Sequence, residues 1–437
     1  MFKTLMNAFK IKDLRNKILF TFAMIVVIRL GSQLPVPGVD RNYFAAWFAA
    51  QSGDAFNFLD AFTGGSFMNM SVFALNISPY ITSSIIMQLL TIAIPKLEEM
   101  QKDGEEGRKK IASITRYVTV GLALIESAAM AIGFGRSGLL QEYNAINVII
   151  VVAAMTAGSA VVMWIGERIT EHGVGNGISV VLAVNILSRL PQDMNGLYEQ
   201  FIKGKAIAVG VLAAVIILVV MLAMIIMVIV LNGGVRKIPV QYAKKMQGRK
   251  IVGGQSSNIP LRVNTAGVIP IIFASSIMAT PNVICAIFGI NPSGVWAEIL
   301  KGMSSSNWCR LDAPLYSIGL VVYILMVIFF AYFYTSITFN PLEISENMKK
   351  QGGFVPGIRP GRPTCDYLNK ILNYIIFIGA CGLTIIAILP FVFNGLFGAS
   401  VSFGGTSLII IVSVILETVK QIESQMLVRN YTGFLND

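Results

Sequence analysis

Long apolar runs with almost no charge recur through the whole sequence. They lie at residues 18–34, 72–94, 113–134, 146–166, 174–190, 206–231, 267–289, 314–339, 371–393 and 406–428. A helix needs about 20 apolar residues to cross a hydrocarbon layer about 30 Å thick, which is the length of these runs. Helices are the expected spanning elements, because a helix satisfies its own backbone N–H and C=O groups where no water is present. The runs therefore predict an all-α integral membrane protein with ten transmembrane helices.

Lysine and arginine are unevenly distributed between the predicted loops. An even number of spans puts both termini on one side, and if that side is cytoplasmic it holds 26 of the 34 Lys and Arg. The external loops hold seven, and Arg29 lies within the first run. Because cytoplasmic loops carry the excess of positive charge, both termini are predicted to be cytoplasmic. The first run lacks a small-residue cleavage site, so the first span is expected to remain in the mature protein.

Two segments depart from a plain bundle of spanning helices. Residues 54–70 are apolar, too short to span, and contain Gly64 and Gly65. Such a piece is tolerated only where protein or water surrounds it, so it is predicted to be an external half-helix. The fifth run is also short and begins with the glycine-rich residues 173–177. Interrupted helices favour two pseudo-symmetric, inverted halves of five helices with a pathway between them.

The predicted organisation follows from these boundaries. It comprises a cytoplasmic N-terminal segment at 1–17, an N-terminal half at 18–190, an external hinge loop at 191–205, a C-terminal half at 206–428, cytoplasmic loops at about 232–265 and 340–370, and a cytoplasmic tail at 429–437.

The inventory of reactive side chains argues against a membrane enzyme. His172 is the only histidine, so a serine hydrolase would lack its base and HExxH is absent. No Asp falls within the ten runs, whereas an aspartyl protease needs two facing carboxylates. Cys285, Cys309, Cys365 and Cys381 have no CxxC spacing, so neither a metal site nor a disulfide framework is predicted. A bridge between Cys285 and Cys309 is geometrically feasible but disfavoured, and no cofactor is predicted.

Ionisable residues inside the runs keep a coupled transporter open as an alternative. The candidates are Glu126 in the third run, Arg29 near the outer end of the first and Glu417 in the tenth. Such groups are costly in lipid and often mark ion or substrate paths. The favoured interpretation is that Arg29 and Glu417 snorkel, and that Glu126 pairs with a neighbour or lies in an aqueous cavity.

The second run has one face that changes character along its length. At 100° per residue Ile77, Ile81, Ser84 and Gln88 share that face, apolar near the outer end and polar toward the cytoplasm. A conduit lined by it would be a wet funnel that narrows onto an apolar constriction, which blocks ions by dewetting. From spacing alone, packing on a neighbouring helix is the favoured interpretation.

Two long predicted cytoplasmic loops have features of contact surfaces. Residues 232–265 carry seven basic and no acidic residues, which favours either membrane retention or binding to an acidic partner such as ribosomal RNA. In the second loop Pro356 and Pro360 alternate with Gly357 and Gly361, a pattern that predicts a stiff tip presenting Ile358 and Arg359.

Five motifs resemble signatures of the SecY family, in the family's order. They are the run from Asn76 to Leu90, the loop from Gly166 to Ser179, the segment from Ala266 to Ser276, the tip from Phe354 to Gly361, and Phe403 to Ser407. The resemblance covers essentially the whole chain. It implies a protein-conducting channel of the Sec pathway in the bacterial plasma membrane. The family fold is a clamshell of two five-helix halves, with a lateral gate between its second and third helices and its seventh and eighth.

The resemblance also implies roles for individual residues. The hydrophobic pore ring would be Ile77, Ile81, Ile178, Leu182, Ile272 and Ile410, where leucine replaces the family's usual isoleucine at one position. The plug would be the half-helix at about 54–70, with Phe56, Phe58, Leu59, Phe62, Gly64 and Gly65. The lateral gate would include Ser84, Gln88, Asn264, Ile269 and Pro270. Partners would dock on Lys244, Lys245, Arg249, Lys250 and Arg359.

The implied partners are the SecE and SecG accessory subunits, the SecA ATPase, the ribosome, signal peptides, nascent chains and membrane lipid. The chain has no GxxxxGK[ST] loop, so energy must come from a partner. Glu126 belongs to no family motif. A secondary transporter coupled through Glu126 and a membrane scaffold without a conduit remain the alternatives to the channel.

Overall fold

The computed structural model describes residues 8–50, 60, 62–135, 138, 140–203, 207–242, 245–247, 250–252, 256–288, 293–310, 314–397 and 405–433. Each of the ten apolar runs overlaps a helix. The helices are α1 (Lys12–Gly31), α2 (Arg41–Ala50), α3 (Ser78–Ala93), α4 (Pro95–Lys102), α5 (Glu105–Gly135), α6 (Ala145–His172), α7 (Gly177–Phe201), α8 (Ile207–Gly233), α9 (Ile269–Phe288), α10 (Val295–Met303), α11 (Ile318–Thr338), α12 (Pro341–Lys350), α13 (Arg362–Phe397) and α14 (Gly405–Gly433). The strands are β1 (Val235–Tyr242), β2 (Lys245–Gln247), β3 (Lys250–Val252), β4 (Ser256–Arg262) and β5 (Gly353–Phe354).

Several of these helices are long and apolar enough to cross a bilayer. Within the described residues five pass on length and composition, and six pass if α3 and α4, which meet at a 102° bend, form one span. The fold is that of a helical membrane protein, and the count of ten spans stays a prediction.

Proline separates α3 from α4. Pro95 lacks the N–H needed to continue the hydrogen bonds of α3, and its fixed φ suits the first turn of a new helix. The chain leaves α3 through Ile94, which has an extended backbone, and restarts as α4. The second run therefore ends at a sharp corner rather than continuing straight into the loop.

Small residues bring α6 and α7 close together at their junction. A Cβ on Gly177 would overlap the carbonyl of Gly166, so only glycine permits this approach. The side chain of Asn176 then caps α7 by accepting hydrogen bonds from the N–H groups of Ile178 and Ser179. The glycine-rich entry to the fifth run therefore sets where the first residues of α7 lie.

The helices form two groups that meet along a few contacts. α5 packs against α3 and α6, while α11 packs against α9 and α13. Between the groups, α7 contacts α14 and α8, and α5 contacts α9. This arrangement agrees with the predicted clamshell, although the boundaries of the two halves stay a prediction.

A small antiparallel sheet, not predicted from the sequence, follows α8. Its strand order is β4-β1-β5, with Ile238 opposite Ile259 and Gln241 opposite Phe354. Ile238 and Val240 are buried in a cluster with Leu368 of α13. The sheet therefore joins the basic loop to the loop that follows α12, and we call this end of the molecule the hairpin end.

The segment between α9 and α11 lies at the opposite end. Trp308 is 2% exposed and packs edge-on against Phe391 at 5.0 Å between ring centroids. All four cysteines are free thiols. Burial raises the pKa of the neighbouring Cys309 thiol, which favours its protonated form.

Candidate functional site

Six aliphatic side chains predicted as a pore ring lie in one cluster. Ile77, Leu182 and Ile410 are buried in it, and Ile81, Ile178 and Ile272 pack against it half-buried. They come from α3 and its cap, α7, α9 and α14, so both groups of helices contribute. The cluster offers an apolar junction with no hydrogen-bonding side chain among these six members. The structure brings the whole predicted set together, and its role as a pore ring stays a prediction.

The segment from Asp60 to Asn76 folds against this junction. Phe62 is 8% exposed and belongs to the same apolar cluster as Ile77 and Leu182. Gly64 and Gly65 have φ of +65° and +83°, a left-handed backbone that favours glycine. Of the predicted plug residues, Phe62 therefore packs on the predicted ring, and Gly64 lies against Asn185 of α7. Phe56, Phe58 and Leu59 lie outside the described residues.

Arg29 ties this segment to two helices. From α1 its guanidinium donates to the Gly64 carbonyl at 3.3 Å, the Val184 carbonyl at 3.2 Å, Asn185 Oδ1 at 3.1 Å and Ser188 Oγ at 2.6 Å. Ser188 Oγ also donates to the Gly64 carbonyl at 3.4 Å. The expectation that Arg29 snorkels is therefore wrong. The reason is that folded backbone from α7 and from the 60–76 segment supplies acceptors inside the protein, so the charge need not reach the interface.

A buried ion pair adds a second tie. Asp60 is 0% exposed and forms an ion pair with Arg189 of α7, while its Oδ1 accepts from the Met68 N–H at 2.8 Å. Asn76 donates from its side chain to the Thr63 carbonyl at 3.3 Å. We call Arg29, Asp60, Ser188 and Arg189 the latch residues, because they hold the 60–76 segment onto α1 and α7.

The predicted lateral gate corresponds to a seam between the two groups of helices. Gln88 of α3 accepts a hydrogen bond from the Tyr334 hydroxyl of α11 at 3.2 Å. A gap of about 30 Å³ between α3, α9 and α11 is lined by apolar residues such as Ile85 and Phe273. Only one described side-chain hydrogen bond, that of Gln88, joins α3 to α11, so this seam is held mainly by apolar contact.

The other predicted gate residues differ in position. Asn264 donates to Asn232 Oδ1 at 2.8 Å, and Asn232 donates to Ser413 Oγ at 2.8 Å, so Asn264 is bonded to α8 and, through it, to α14. Ser84 is half-buried on α3. Ile269 and Pro270 form the first turn of α9, half-buried and buried respectively.

A larger cavity of about 470 Å³ lies where α3, α5 and α9 meet. Its wall includes Ile81 and Ile272 of the aliphatic cluster, Phe62 of the 60–76 segment, and Glu126 of α5. We call it the gate cavity. Glu126, left without a role by the sequence, is therefore next to the candidate pathway, whereas Glu417 is an exposed residue of α14.

The predicted docking residues that the structure describes lie at the hairpin end. Lys244 and Arg249 are outside the described residues, and Lys245 and Lys250 belong to the paired strands β2 and β3. Arg359 is exposed, and its carbonyl accepts from Thr364 Oγ1 at 2.8 Å. The neighbouring Ile358 packs on the sheet instead of projecting, so only Arg359 is presented as predicted.

Sequence reasoning missed the latch residues Asp60, Ser188 and Arg189. Each of these residues contacts a partner more than 100 residues away along the chain, so no local sequence pattern predicts the contacts. The usable signal is Arg29, because a lone arginine within an apolar run needs internal acceptors.

The sequence is similar to one protein family over most of its length. A family model described as SecY matches residues 71–419. The protein translocase subunit SecY of Streptomyces galbus is 44% identical over 450 residues, covering 98% of each chain. The protein translocase subunit SecY of Bacillus subtilis is 41% identical over 445 residues, covering 100% of each chain.

The fold is similar to that of solved channels. One solved structure of a protein-conducting channel has a TM-score of 0.59 at 16% identity, covering 94% of this chain and 92% of that one. Sec61 in the canine ribosome–channel complex from the endoplasmic reticulum has a TM-score of 0.57 at 15% identity, with the same coverage. At these identities the likeness concerns the fold.

Proposed function

The chain belongs to the SecY family, and from that membership we infer that it is the protein-conducting subunit of a translocase. It is a multi-pass membrane protein that moves unfolded proteins across the bilayer and releases apolar segments sideways into lipid. The observation that carries this inference is the aliphatic cluster: four helices from both groups converge on six apolar side chains, and Phe62 packs on them.

The chemistry of the cluster suits an unfolded passenger. An unfolded chain has no single surface to complement, so its conduit must be chemically indifferent, and aliphatic side chains provide this without specific hydrogen bonds. The same side chains oppose ion flow when no passenger is present, because a narrow apolar constriction dewets. The 60–76 segment, held by the latch residues, completes the seal as the plug.

Lateral release would occur at the seam between α3 and α5 on one side and α9 and α11 on the other. A signal peptide or nascent transmembrane segment is itself an apolar helix. It can replace the apolar contacts at this seam and then bury its own surface in lipid, at about 25 cal/mol per Å² of apolar area. Hydrophobicity would therefore select which segments leave.

Partner proteins supply the energy for transport. The chain works without catalysis of its own, and SecA or the ribosome docks at the hairpin end, where Arg359 faces solvent. SecE and SecG complete the complex. The bacterial plasma membrane is the site, with both termini and the hairpin end cytoplasmic, which the distribution of Lys and Arg supports.

Ion conductance in planar bilayers tests the channel. The wild-type chain is compared with a variant that lacks residues 56–68, which removes Asp60, Phe62 and Gly64 together. We expect a silent wild type and large, fluctuating conductance from the deletion. A control, Ile92→Ser, changes an exposed position of α3 and should stay silent. Silence of the deletion would overturn the proposal and favour a transporter or a scaffold, neither of which the comparisons support.

A further inference from the structure

Glu126 is the one acidic side chain in the described wall of the gate cavity. The rest of that wall is mostly apolar, with Phe67, Leu75, Ile81, Ile272 and Val283 among its members. The cavity also has hydroxyl groups, but those of Thr82 and Thr280 donate to carbonyls of their own helices. The carboxyl is therefore the strongest free acceptor facing this space.

Depth makes this carboxyl unusual. Glu126 lies nine residues before the end of α5 at Gly135, which corresponds to about 14 Å along the helix axis. That position is well inside the apolar part of the span. Among the described residues no Lys or Arg lies within 4.0 Å of it and no side chain donates to it. An unpaired carboxylate at this depth is unfavourable, so the site gains free energy when a cation arrives.

The position of the cavity identifies the kind of cation. Ile81 and Ile272 line the gate cavity and also belong to the aliphatic cluster, so the cavity opens directly beside the candidate pathway. Its walls come from α3 and α5 on one side and α9 on the other, the helices of the seam. An apolar segment that moves from the pathway toward lipid passes along this wall.

We propose that Glu126 pairs with a single Lys or Arg whose side chain enters the gate cavity from an otherwise apolar passenger segment that lies along the seam. This inference rests on the proposed function and names a substrate class for it. The pair would hold a segment whose one charge makes lateral release costly, since a basic side chain is unfavourable at the centre of a bilayer. A segment with an acidic residue at the same place would be repelled.

Site-specific crosslinking tests the pairing. A photoreactive amino acid replaces Val283, which lines the gate cavity on α9. Passengers carry a Leu/Ala segment with Lys, Gln or Glu at its centre and are arrested during transport by the full translocase in membrane vesicles. In wild type we expect the Lys passenger to crosslink about fivefold more than the Gln passenger. A ratio of about fivefold in occupancy is what one partly exposed ion pair contributes.

Two variants check the role of charge. Glu126→Gln should remove the advantage of the Lys passenger, and Glu126→Lys should transfer the advantage to the Glu passenger. Glu417→Gln, which changes an exposed carboxyl of α14, serves as the matched control and should behave as wild type.

The outcomes separate the two proposals. Equal yields from the three passengers in wild type, or a Lys advantage that survives Glu126→Gln, would overturn the pairing while leaving the channel intact. If wild type neither transports nor crosslinks the uncharged Gln passenger, the channel itself is refuted. Equal yields from the wild-type passenger series overturn the pairing even if a Glu126 variant does not assemble.

Discussion

Arg29 joins three parts of the molecule through one side chain. Its four hydrogen bonds reach the 60–76 segment and α7 from α1. The guanidinium has five N–H donors in a planar fork, which is why it serves several acceptors at once where an ammonium would act as a point charge. Loss of this side chain should loosen the 60–76 segment without removing any residue of that segment.

The first prediction concerns Arg29→Gln. We expect the resting ion conductance of reconstituted protein to rise toward that of the 56–68 deletion, because the Gly64 carbonyl loses its charged donor. Arg29→Lys should recover only part of the seal. As a control, Arg41→Gln changes a half-buried arginine that donates to the Gln33 carbonyl at 2.7 Å and does not touch the latch, so this variant should not leak. A silent Arg29→Gln channel would contradict the assignment of Arg29 to the latch.

The second prediction concerns the buried Asp60–Arg189 pair. Asp60→Asn leaves the Arg189 guanidinium without its charged partner, and breaking a buried pair in this way costs about 3–5 kcal/mol. We expect a lower thermal unfolding temperature in detergent and a higher resting conductance. The charge-swapped double variant Asp60→Arg with Arg189→Asp should recover part of both. No recovery relative to the two single variants would show that the pair does not act as a unit.

Among the elements, β1 is the central strand of the sheet, because it pairs with a neighbouring strand on each edge. It pairs with β4 along its length and with β5 near its end, and its Ile238 and Val240 side chains pack toward α13. The basic loop and the Arg359 loop are therefore parts of one module. A partner that binds one of them acts on both.

The third prediction tests this module. Ile238→Ala removes a buried side chain of β1, at a cost of about 2–5 kcal/mol. We expect faster cleavage of the 235–262 hairpin in limited proteolysis and weaker binding of SecA or ribosomes. Resting conductance should not change, because the latch residues are untouched. Arg236→Ala, exposed on the same strand, is the matched control for folding and should not speed cleavage.

For the whole molecule, the contact between the two groups of helices decides what the protein can do. The seam of α3 and α5 against α9 and α11 has one described hydrogen bond between α3 and α11, from Tyr334 to Gln88. Apolar contacts are non-directional, so an apolar segment can replace them at little cost. The apolar composition of the seam therefore favours the sideways opening proposed above.

The fourth prediction concerns a covalent crosslink across that seam. With the four native cysteines replaced by serine, Gln88→Cys and Tyr334→Cys are joined by a short thiol crosslinker, since their side chains meet at 3.2 Å. We expect lateral release of apolar segments to stop and to resume when a cleavable crosslinker is cut. A pair within one group, such as Ser127→Cys and Thr156→Cys, is the control. If the crosslinked protein still released apolar segments at the wild-type rate, the seam between α3 and α11 would be excluded as their exit.

Much of the helical fold was predictable, because the length of each apolar run indicates a membrane-spanning helix. The sheet was not predicted, although Ile238 and Val240 alternate with exposed residues in β1. Pro239 between them weakens a strand pattern, because proline cannot donate to a ladder. The basic residues around it are typical of a binding surface and give no strand signal.

The candidate site was predictable in its apolar part only. Ile77 and Ile81 have helical spacing, and the family resemblance implied the other members of the ring. The latch depends on contacts between residues far apart in sequence, such as Arg29 with Ser188, which arise only after the helices have packed. Polar contacts within an apolar fold therefore have to be read from the structure.

The latch also sets an order of events during synthesis. Asp60 is held by Arg189, which is made 129 residues later. At about 5–20 residues per second, the delay is roughly 6–26 seconds. Until then the 60–76 segment has no α7 to pack against, so the seal proposed for this segment is not yet formed in a newly made chain. A cell that makes this protein must protect its membrane during those seconds, either by keeping the two groups of helices apart or by covering the half-made pathway.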